Sequence, residues 1–418
     1  MYYWYKLFSY LFYPLAPLYL ILRKIKKKEH PDRYKEKLAL IKQQRDQGFL
    51  IWFHAASVGE ALSVLPLIEN LEQEEKIKKI LITTITLSSS EVLEKRIGRN
   101  EKIVHQFFPL DIPKFVNKFL NHWTPNLCIL VDSEIWPNLI LATKKKNIPL
   151  LLVNGRITKK TFSKWKLVSL FAKKIFSKFD LCIVANNETA KRLKILGVEN
   201  IKNYGNLKFA STKTKYNINL SSDLLNKIKD RKIWSAASTH PSEEMFCAKT
   251  HLKLKKKYEN LLTIIIPRHL DRIKMLNKEL SSLNLKIDLY SNLDQVDKAT
   301  DILLVDAYGE NFKFFNLSKS VFLGGSLIKH GGQNPIEPSR FGCKIFHGPN
   351  IDNFTEIYNY LESLGISRPI VDHEELVKSL TKEFELDKTN DQIVEKIENY
   401  GQNVLNNVIK DLKKYIST

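Results

Sequence analysis

Short apolar runs separated by amphipathic stretches recur along this chain, and no other feature restricts its fold as much. FLIWF (residues 49–53), KILITT (79–84), IVHQFF (103–108), LCILV (127–131), PLLLV (149–153) and LCIVA (181–185) follow one another, with helix-like segments between several of them. Runs of this length bounded by polar residues read as strands buried on both faces, and strands alternating with helices build a mostly parallel sheet. The pattern stops at KFASTKTKYNINLSSD (208–223), which is polar and aperiodic, and restarts with KIWSAAS, LLTIIIP, LKIDLY, DILLVD, SVFLGG and KIFHG. From residue 374 onward, apolar residues recur at spacings of three and four, as in helices. At 418 residues the chain exceeds what one core supports. The reading is therefore an α/β protein with two Rossmann-like parallel-sheet domains facing a cleft. Their expected limits are 31–207 and 224–418, the latter including the terminal helices, joined by a linker at 208–223.

Residues 1–30 form a separate segment. MYYWYKLFSYLFYPLAPLYLIL is aromatic and apolar, and RKIKKK (23–28) follows it. Charge after the apolar region, with no small-residue cleavage site, is unlike a secretory signal. Pro14 and Pro17 interrupt a helix that would otherwise have the length of a short span. Ring residues suited to the headgroup zone and lysines suited to anionic lipid make this a membrane-associated helix, with its basic run on the cytoplasmic side. Docking of the same helix on the protein's own core is the competing reading.

A surplus of 66 Lys+Arg over 45 Asp+Glu, net +21, fits an anionic surface or an acidic substrate, or a lysine-rich composition with no specific role. The basic residues do not alternate with aromatics as in an RNA platform, so no nucleic acid is expected. Cys128, Cys182, Cys247 and Cys343 are far apart and read as reduced, buried thiols. Neither G-x-x-x-x-G-K-[ST] nor G-x-G-x-x-G nor H-E-x-x-H occurs, which removes the usual support for ATPase, dinucleotide and zinc chemistry. No Asp-x-Asp is present to hold a divalent ion, and no metal or cofactor is expected.

In doubly wound sheets ligands bind beyond the carboxyl ends of strands, so the loops there carry the chemistry. HAASVGE (54–60) places Glu60 near a helix start. A carboxylate there complements the helix dipole, which would keep it ionised, and it becomes an effective base only if burial offsets that effect. VDSEIWPN (131–138) supplies Asp132 and Glu134 before a helix opening at Trp136-Pro137. The alternative for this loop is Ser133 as a cap with solvated acids. Arg156 in NGRIT and Lys208 in GNLKF are cations at strand ends. In the second half, ASTHPSEE (237–244) offers Ser238, Thr239 and His240 at a helix mouth able to hold an anion through backbone N–H groups. IIIPRH presents Pro267, Arg268 and His269, and YGE presents Tyr308, Gly309 and Glu310. FLGGSLIKHGGQNPIEPSRFG has two glycine pairs, then Asn334 as expected N-cap and Pro335 as expected first helical residue. Ile336 and Glu337 follow, the latter able to accept hydrogen bonds from a ribose diol.

HAASVGE, SEIWPN, NGRIT, GNLKF, ASTH, PRH, YGE and GGSLIKHGGQNPIEP occur in an order and spacing that resembles the 3-deoxy-D-manno-octulosonic acid (Kdo) transferases of lipopolysaccharide assembly. The resemblance covers nearly the whole chain. It implies a GT-B fold, with acceptor on the N-terminal side and nucleotide on the C-terminal side. It implies transfer of Kdo from CMP-Kdo to a lipid A precursor (lipid IVA), with inversion, at the cytoplasmic side of the cell inner membrane. Carried onto this chain, Glu60 is the catalytic base, and Glu134 and Lys208 help to stabilise the transition state. Pro267, Arg268, His269, Tyr308, Gly309, Glu310 and Asn334 through Glu337 contact CMP. Pro241-Ser242, Asn206 and Pro338 depart from the residues usual in the family and bear on details of the donor loops. The competing readings are another GT-B glycosyltransferase with a different nucleotide sugar, a nucleotide-sugar epimerase, and a non-catalytic membrane-binding protein.

Overall fold

The computed structural model describes residues 2–98, 100–210, 218–386 and 391–417. It divides into two compact units, 1–213 with 400–418, and 214–399.

In the first unit the strands are β1 (Phe49–His54), β2 (Ile77–Thr84), β3 (Ile103–Phe107), β4 (Leu127–Val131), β5 (Leu150–Gly155), β6 (Leu181–Val184) and β7 (Ile201–Asn203). They form one sheet in the order β3-β2-β1-β4-β5-β6-β7, every pairing parallel. The order reverses between β1 and β4, which is the switch point where such sheets open to ligands. Apolar side chains of the central strands alternate between two cores. Trp52, Cys128, Leu130 and Leu152 enter one, and Ile51, Phe53, Ile129 and Val153 enter the other.

The second unit contains β8 (Lys232–Thr239), β9 (Leu261–Pro267), β10 (Ile287–Leu289), β11 (Ile302–Leu304), β12 (Ser320–Leu323), β13 (Lys344–His347) and β14 (Ser367–Pro369). Their order is β10-β11-β9-β8-β12-β13-β14, again wholly parallel. The switch point lies between β8 and β12. Each apolar run named from the sequence contains or overlaps a strand. The edge strands β7 (Ile-Lys-Asn) and β14 (Ser-Arg-Pro) have no such run, because their residues are mostly polar and mostly outside the core.

One boundary is corrected. The final helix, Asp391–Ser417, was expected in the second domain, but its residues from Tyr400 belong to the first unit. Val404, Leu405, Val408, Leu412 and Ile416 pack into the same core as Ile51, Val64 and Ile68. Gly401 lies against the Phe209 carbonyl, where a Cβ would collide with backbone. The start of the expected linker is also ordered: Leu207–Phe209 is a 3-10 turn with Leu207 and Phe209 buried. Residues 211–217 of the linker lie outside the described residues.

The N-terminal segment is broken where the prolines predict. Helices Tyr2–Phe12 and Ala16–Ile25 flank a 3-10 turn at Tyr13–Leu15. One side is tied to the first unit: Tyr5 Oη donates to Asp111 Oδ2 at 2.9 Å, Tyr13 packs on Phe115, and Ala16 and Leu20 are fully buried. The other side leaves Tyr3 81% and Phe8 65% exposed, with Trp4, Leu11, Leu18 and Ile25 also exposed. Tyr2–Ile25 is long and apolar enough to cross a membrane by length and composition. The two helices together have a docked face and an open apolar face.

Candidate functional site

Four loops of the first unit bring charged groups together at the carboxyl edge of its sheet. Ser57 caps the helix Val58–Leu71, accepting from Glu60 N. The Glu60 carboxylate accepts from Ala56 N at 2.8 Å through Oε2 and from Ser57 Oγ at 2.9 Å through Oε1. Burial, then the negative charge of Glu134 and Asp132, outweigh these donors and push Glu60 up to about 7. The expectation that the helix dipole would keep Glu60 ionised is corrected. In this site desolvation and like charge win, and the carboxyl is poised near neutrality.

Glu134 follows β4. Its Oε2 accepts from the Trp136 indole at 2.8 Å and lies 3.3 Å from Nε2 of the fully buried His54. The helix Pro137–Lys145 does open at Trp136, but Ser133 does not cap it. Asp111 does, accepting from Asn138 N at 3.0 Å and Leu139 N at 2.8 Å. Asp132 is nearly buried at a positive φ of 60°. Burial raises its pKa, Lys208 and Arg156 pull it back, and Glu134 adds to the rise. Asn154 also has a positive φ, 54°, and its Oδ1 accepts from Leu207 N at 2.9 Å. That bond and the packing of the Leu207–Phe209 turn on the helix Val58–Leu71 hold Lys208 at this edge. Two non-glycine residues in the left-handed region at adjacent strand ends mark backbone strain of the kind that collects at functional sites. Glu60, Asp132, Glu134, Arg156 and Lys208 therefore converge, a grouping of three acids and two bases.

In the second unit, the residues after β8, β9 and β12 meet. His240 stands between His330, ring centroids 4.4 Å apart, and His269 at 5.7 Å. Burial, with His330, His269, Arg268 and Arg272 nearby, drops His240 to about 4, so it is neutral at physiological pH. Arg268 and His269 are exposed at the end of β9. Glu337 has its pKa raised by burial, with Arg340 and Arg268 opposing. Glu310 accepts from Tyr290 Oη at 3.2 Å and pairs with Lys313 at 2.6 Å, while Tyr308 is exposed.

Two expectations about this region, one of an anion site and one of a helix start, are corrected. The amide of His240, together with those of Gly325, Ser326 and Leu327, is taken up by the fully buried Glu243. Its Oε2 accepts from His240 at 2.9 Å and Gly325 at 2.7 Å, and its Oε1 from Ser326 at 3.0 Å and Leu327 at 2.9 Å. The anion on these backbone groups is the protein's own carboxylate. Gly324 serves this arrangement, since a Cβ there would meet Ser238 O, Thr239 Cα and Glu243 Oε2. Likewise, Asn334-Pro335 opens only a four-residue helix, Ile336–Ser339, with Pro335 in the capping position and Asn334 Oδ1 accepting from Ile336 N at 3.2 Å. So short a helix carries little dipole. Glu243, Asp111 and His54 were missed from sequence because their partners lie far along the chain. Among the described residues no three His, Cys, Asp or Glu side chains are grouped to hold a metal ion.

Two Rossmann-like sheets of this topology place the protein in the GT-B class. The UDP-GlcNAc 2-epimerase of Neisseria meningitidis bound to UDP-GlcNAc has a similar fold, with a TM-score of 0.56 over 88% of this chain and 99% of that one, at 14% identity. Sequence is more specific. Residues 32–211 match the domain family described as 3-Deoxy-D-manno-octulosonic-acid transferase (kdotransferase). The 3-deoxy-D-manno-octulosonic acid transferase of Rickettsia bellii is 33% identical over 411 residues, 98% of this chain and 96% of the relative. That of Haemophilus influenzae is 34% identical over 321 residues, 74% of this chain and 73% of the relative. The chain belongs to the Kdo transferase family and is a glycosyltransferase.

Proposed function

We propose that this protein moves Kdo from CMP-Kdo to a hydroxyl of a lipid A precursor, with inversion, at the cytoplasmic face of the inner membrane. The observation that carries the reading is Glu60, a carboxyl tuned to about 7 at the sheet's switch point beside Glu134 and Asp132. A base with that proton affinity can take the proton of an acceptor hydroxyl at neutral pH. The acceptor oxygen then bonds to the anomeric carbon as the bond from that carbon to the CMP phosphate oxygen breaks, and CMP departs with the electron pair. One displacement inverts the centre. Lys208, acting near Asp132, and Glu134 are the groups assigned to the charge that develops around the acceptor.

In the second unit, Arg268 and His269 are exposed cations or donors suited to the phosphate and to the carboxylate of the sugar. Pro267, Tyr308, Gly309, Glu310 and Asn334 through Glu337 complete the proposed CMP contacts. Fixed cations can stabilise a departing phosphate monoester, so the reading requires no metal or other cofactor. The N-terminal helix pair, docked on one side and apolar on the other, suits a helix lying in an anionic membrane surface, where the acceptor's acyl chains remain.

The test is product mass after incubating the protein in detergent with CMP-Kdo and tetra-acylated lipid A precursor. A product heavier by Kdo supports the reading. Folded protein that transfers no Kdo, or that turns over a UDP-sugar without acceptor, overturns it.

A further inference from the structure

The segment that carries Lys208 is gripped along its length by the last helix, Asp391–Ser417. Lys202 Nζ pairs with Asp411 Oδ1 at 2.8 Å, and Tyr204 Oη donates to Asp411 Oδ2 at 2.7 Å, with Asp411 itself buried. Gly205 follows at a φ of +100°, so close to Tyr400 that a Cβ would collide with its hydroxyl. Asn206 shares a backbone hydrogen bond with that same hydroxyl. Phe209 meets the Tyr400 ring edge-on, centroids 5.1 Å apart, and its carbonyl lies against Gly401.

Tyr400, Val404, Val408 and Asp411 follow one another at spacings of three and four, so they share one helical face. Val404 and Val408 close the core, and a bare phenyl ring at 400 would pack against Phe209 as well as Tyr400 does. The hydroxyl does something packing does not require. It holds the backbone of Asn206, whose side-chain Oδ1 accepts from Lys208 N at 3.0 Å. From the other side Asn154 Oδ1 accepts from Leu207 N at 2.9 Å. The Leu207–Phe209 turn is a single 3-10 turn, too short to hold its own geometry without such outside ties.

We propose that Tyr400 is a positioning residue for the transfer reaction, fixing through its hydroxyl the Asn206–Phe209 turn that carries Lys208. The proposal rests on the reading of Lys208 as a cation acting on the charge that develops around the acceptor. Lys208 acts on Asp132, which stands with Glu134 beside Glu60. A turn released by about an ångström takes the ammonium out of register with this group, and misplacement on that scale can cost about a hundredfold in rate. The donor sugar nucleotide is assigned to the other unit, so its binding is not touched.

Tyr400→Phe keeps the ring and deletes the hydroxyl. It should lower kcat about tenfold, with KM for CMP-Kdo within about twofold of wild type. A tyrosine that served packing alone would lower Tm and leave the kcat of the folded protein unchanged. A double-mutant cycle with Lys208→Ala isolates the route: in that background Tyr400→Phe should cause no further loss of kcat, since residues that act as a unit are not additive. An unchanged kcat in Tyr400→Phe, or a loss of the same size in both backgrounds, overturns the proposal. Should Lys208→Ala transfer too little Kdo to measure, amide hydrogen exchange decides. Exchange at Lys208 N–H about tenfold faster in Tyr400→Phe than in wild type supports the proposal, and equal exchange overturns it. Wild-type transfer by Lys208→Ala would instead remove Lys208 from the reaction and this proposal with it, leaving the base reading of Glu60 to stand or fall on Glu60→Gln.

Discussion

Ser57 and Glu60 bond to each other in both directions: Glu60 N donates to Ser57 Oγ at 3.4 Å, and Ser57 Oγ donates to Glu60 Oε1 at 2.9 Å. A capping residue and a catalytic base are therefore not alternatives at this position. The cap fixes the carboxylate's orientation and leaves lone pairs for a substrate proton. Glu60→Gln preserves the acceptor for Ala56 and removes the base. Transfer should fall by about 10²- to 10⁴-fold, while CMP affinity by calorimetry stays within about twofold. Wild-type turnover would refute the assignment.

With Glu60 held near 7, the base is half protonated at neutral pH. The acid limb of kcat/KM should break near pH 7 and fall about tenfold per unit below it. A break near 4.5, the ordinary value for a glutamate, would show that the carboxyl is solvated in solution.

The same carboxyl affects stability, with a definite sign. Its folded pKa lies above its unfolded one, so its favourable contribution is complete below about 4.5 and is lost as pH rises through about 7. Glu60→Gln, which cannot ionise, should be more stable than wild type at pH 8, by about 3 kcal/mol, and close to it at pH 4.5. Urea denaturation at the two values measures this.

Glu243 fills a role that a bound anion was expected to fill. Removing it leaves four amides without acceptors in a dry setting, each costing about 1–3 kcal/mol where water cannot enter. Glu243→Ala should lower the Tm of the protein sharply, and Gly324→Ala should do the same by displacing the carboxylate. Thermal unfolding by circular dichroism reports both. Unchanged melting in either would mean that this loop repacks freely.

The open face of the N-terminal helices makes a separate prediction. Trp4→Glu with Phe8→Glu changes residues that project away from the protein, so the fold and the Tm should be retained. Sedimentation with vesicles containing anionic lipid should drop at least tenfold, and equal sedimentation would place the membrane contact elsewhere.

Strands were legible because a parallel strand buried on both faces has to be apolar along its length, as LCILV and LLTIIIP are. Loop ends were legible as places, since Glu60, Glu134, Lys208 and Arg268 all stand where the strand periodicity stops. What local sequence does not encode is which side chain satisfies which backbone group. Asp111 caps a helix that begins 26 residues later, and Glu243 ties amides more than 80 residues away, so neither could be read from its neighbours. The tuning of Glu60 was hidden for the same reason. Its direction depends on Glu134 and on enclosure by segments that are distant in sequence. β7 and β14 were invisible because Ile201–Asn203 and Ser367–Pro369 are mostly polar and mostly outside the core.

The return of residues 400–417 to the first unit has a consequence for synthesis on the ribosome. The core containing Ile51, Val64 and Ile68 lacks Val404, Leu405, Val408, Leu412 and Ile416 until codons 404–416 are read. The unit encoded second has all of its strands before then, so it can complete its fold while the unit encoded first still waits for its closing helix. A ribosome that stops between codons 400 and 416 would release a chain whose second unit is sound and whose first unit has an open seam.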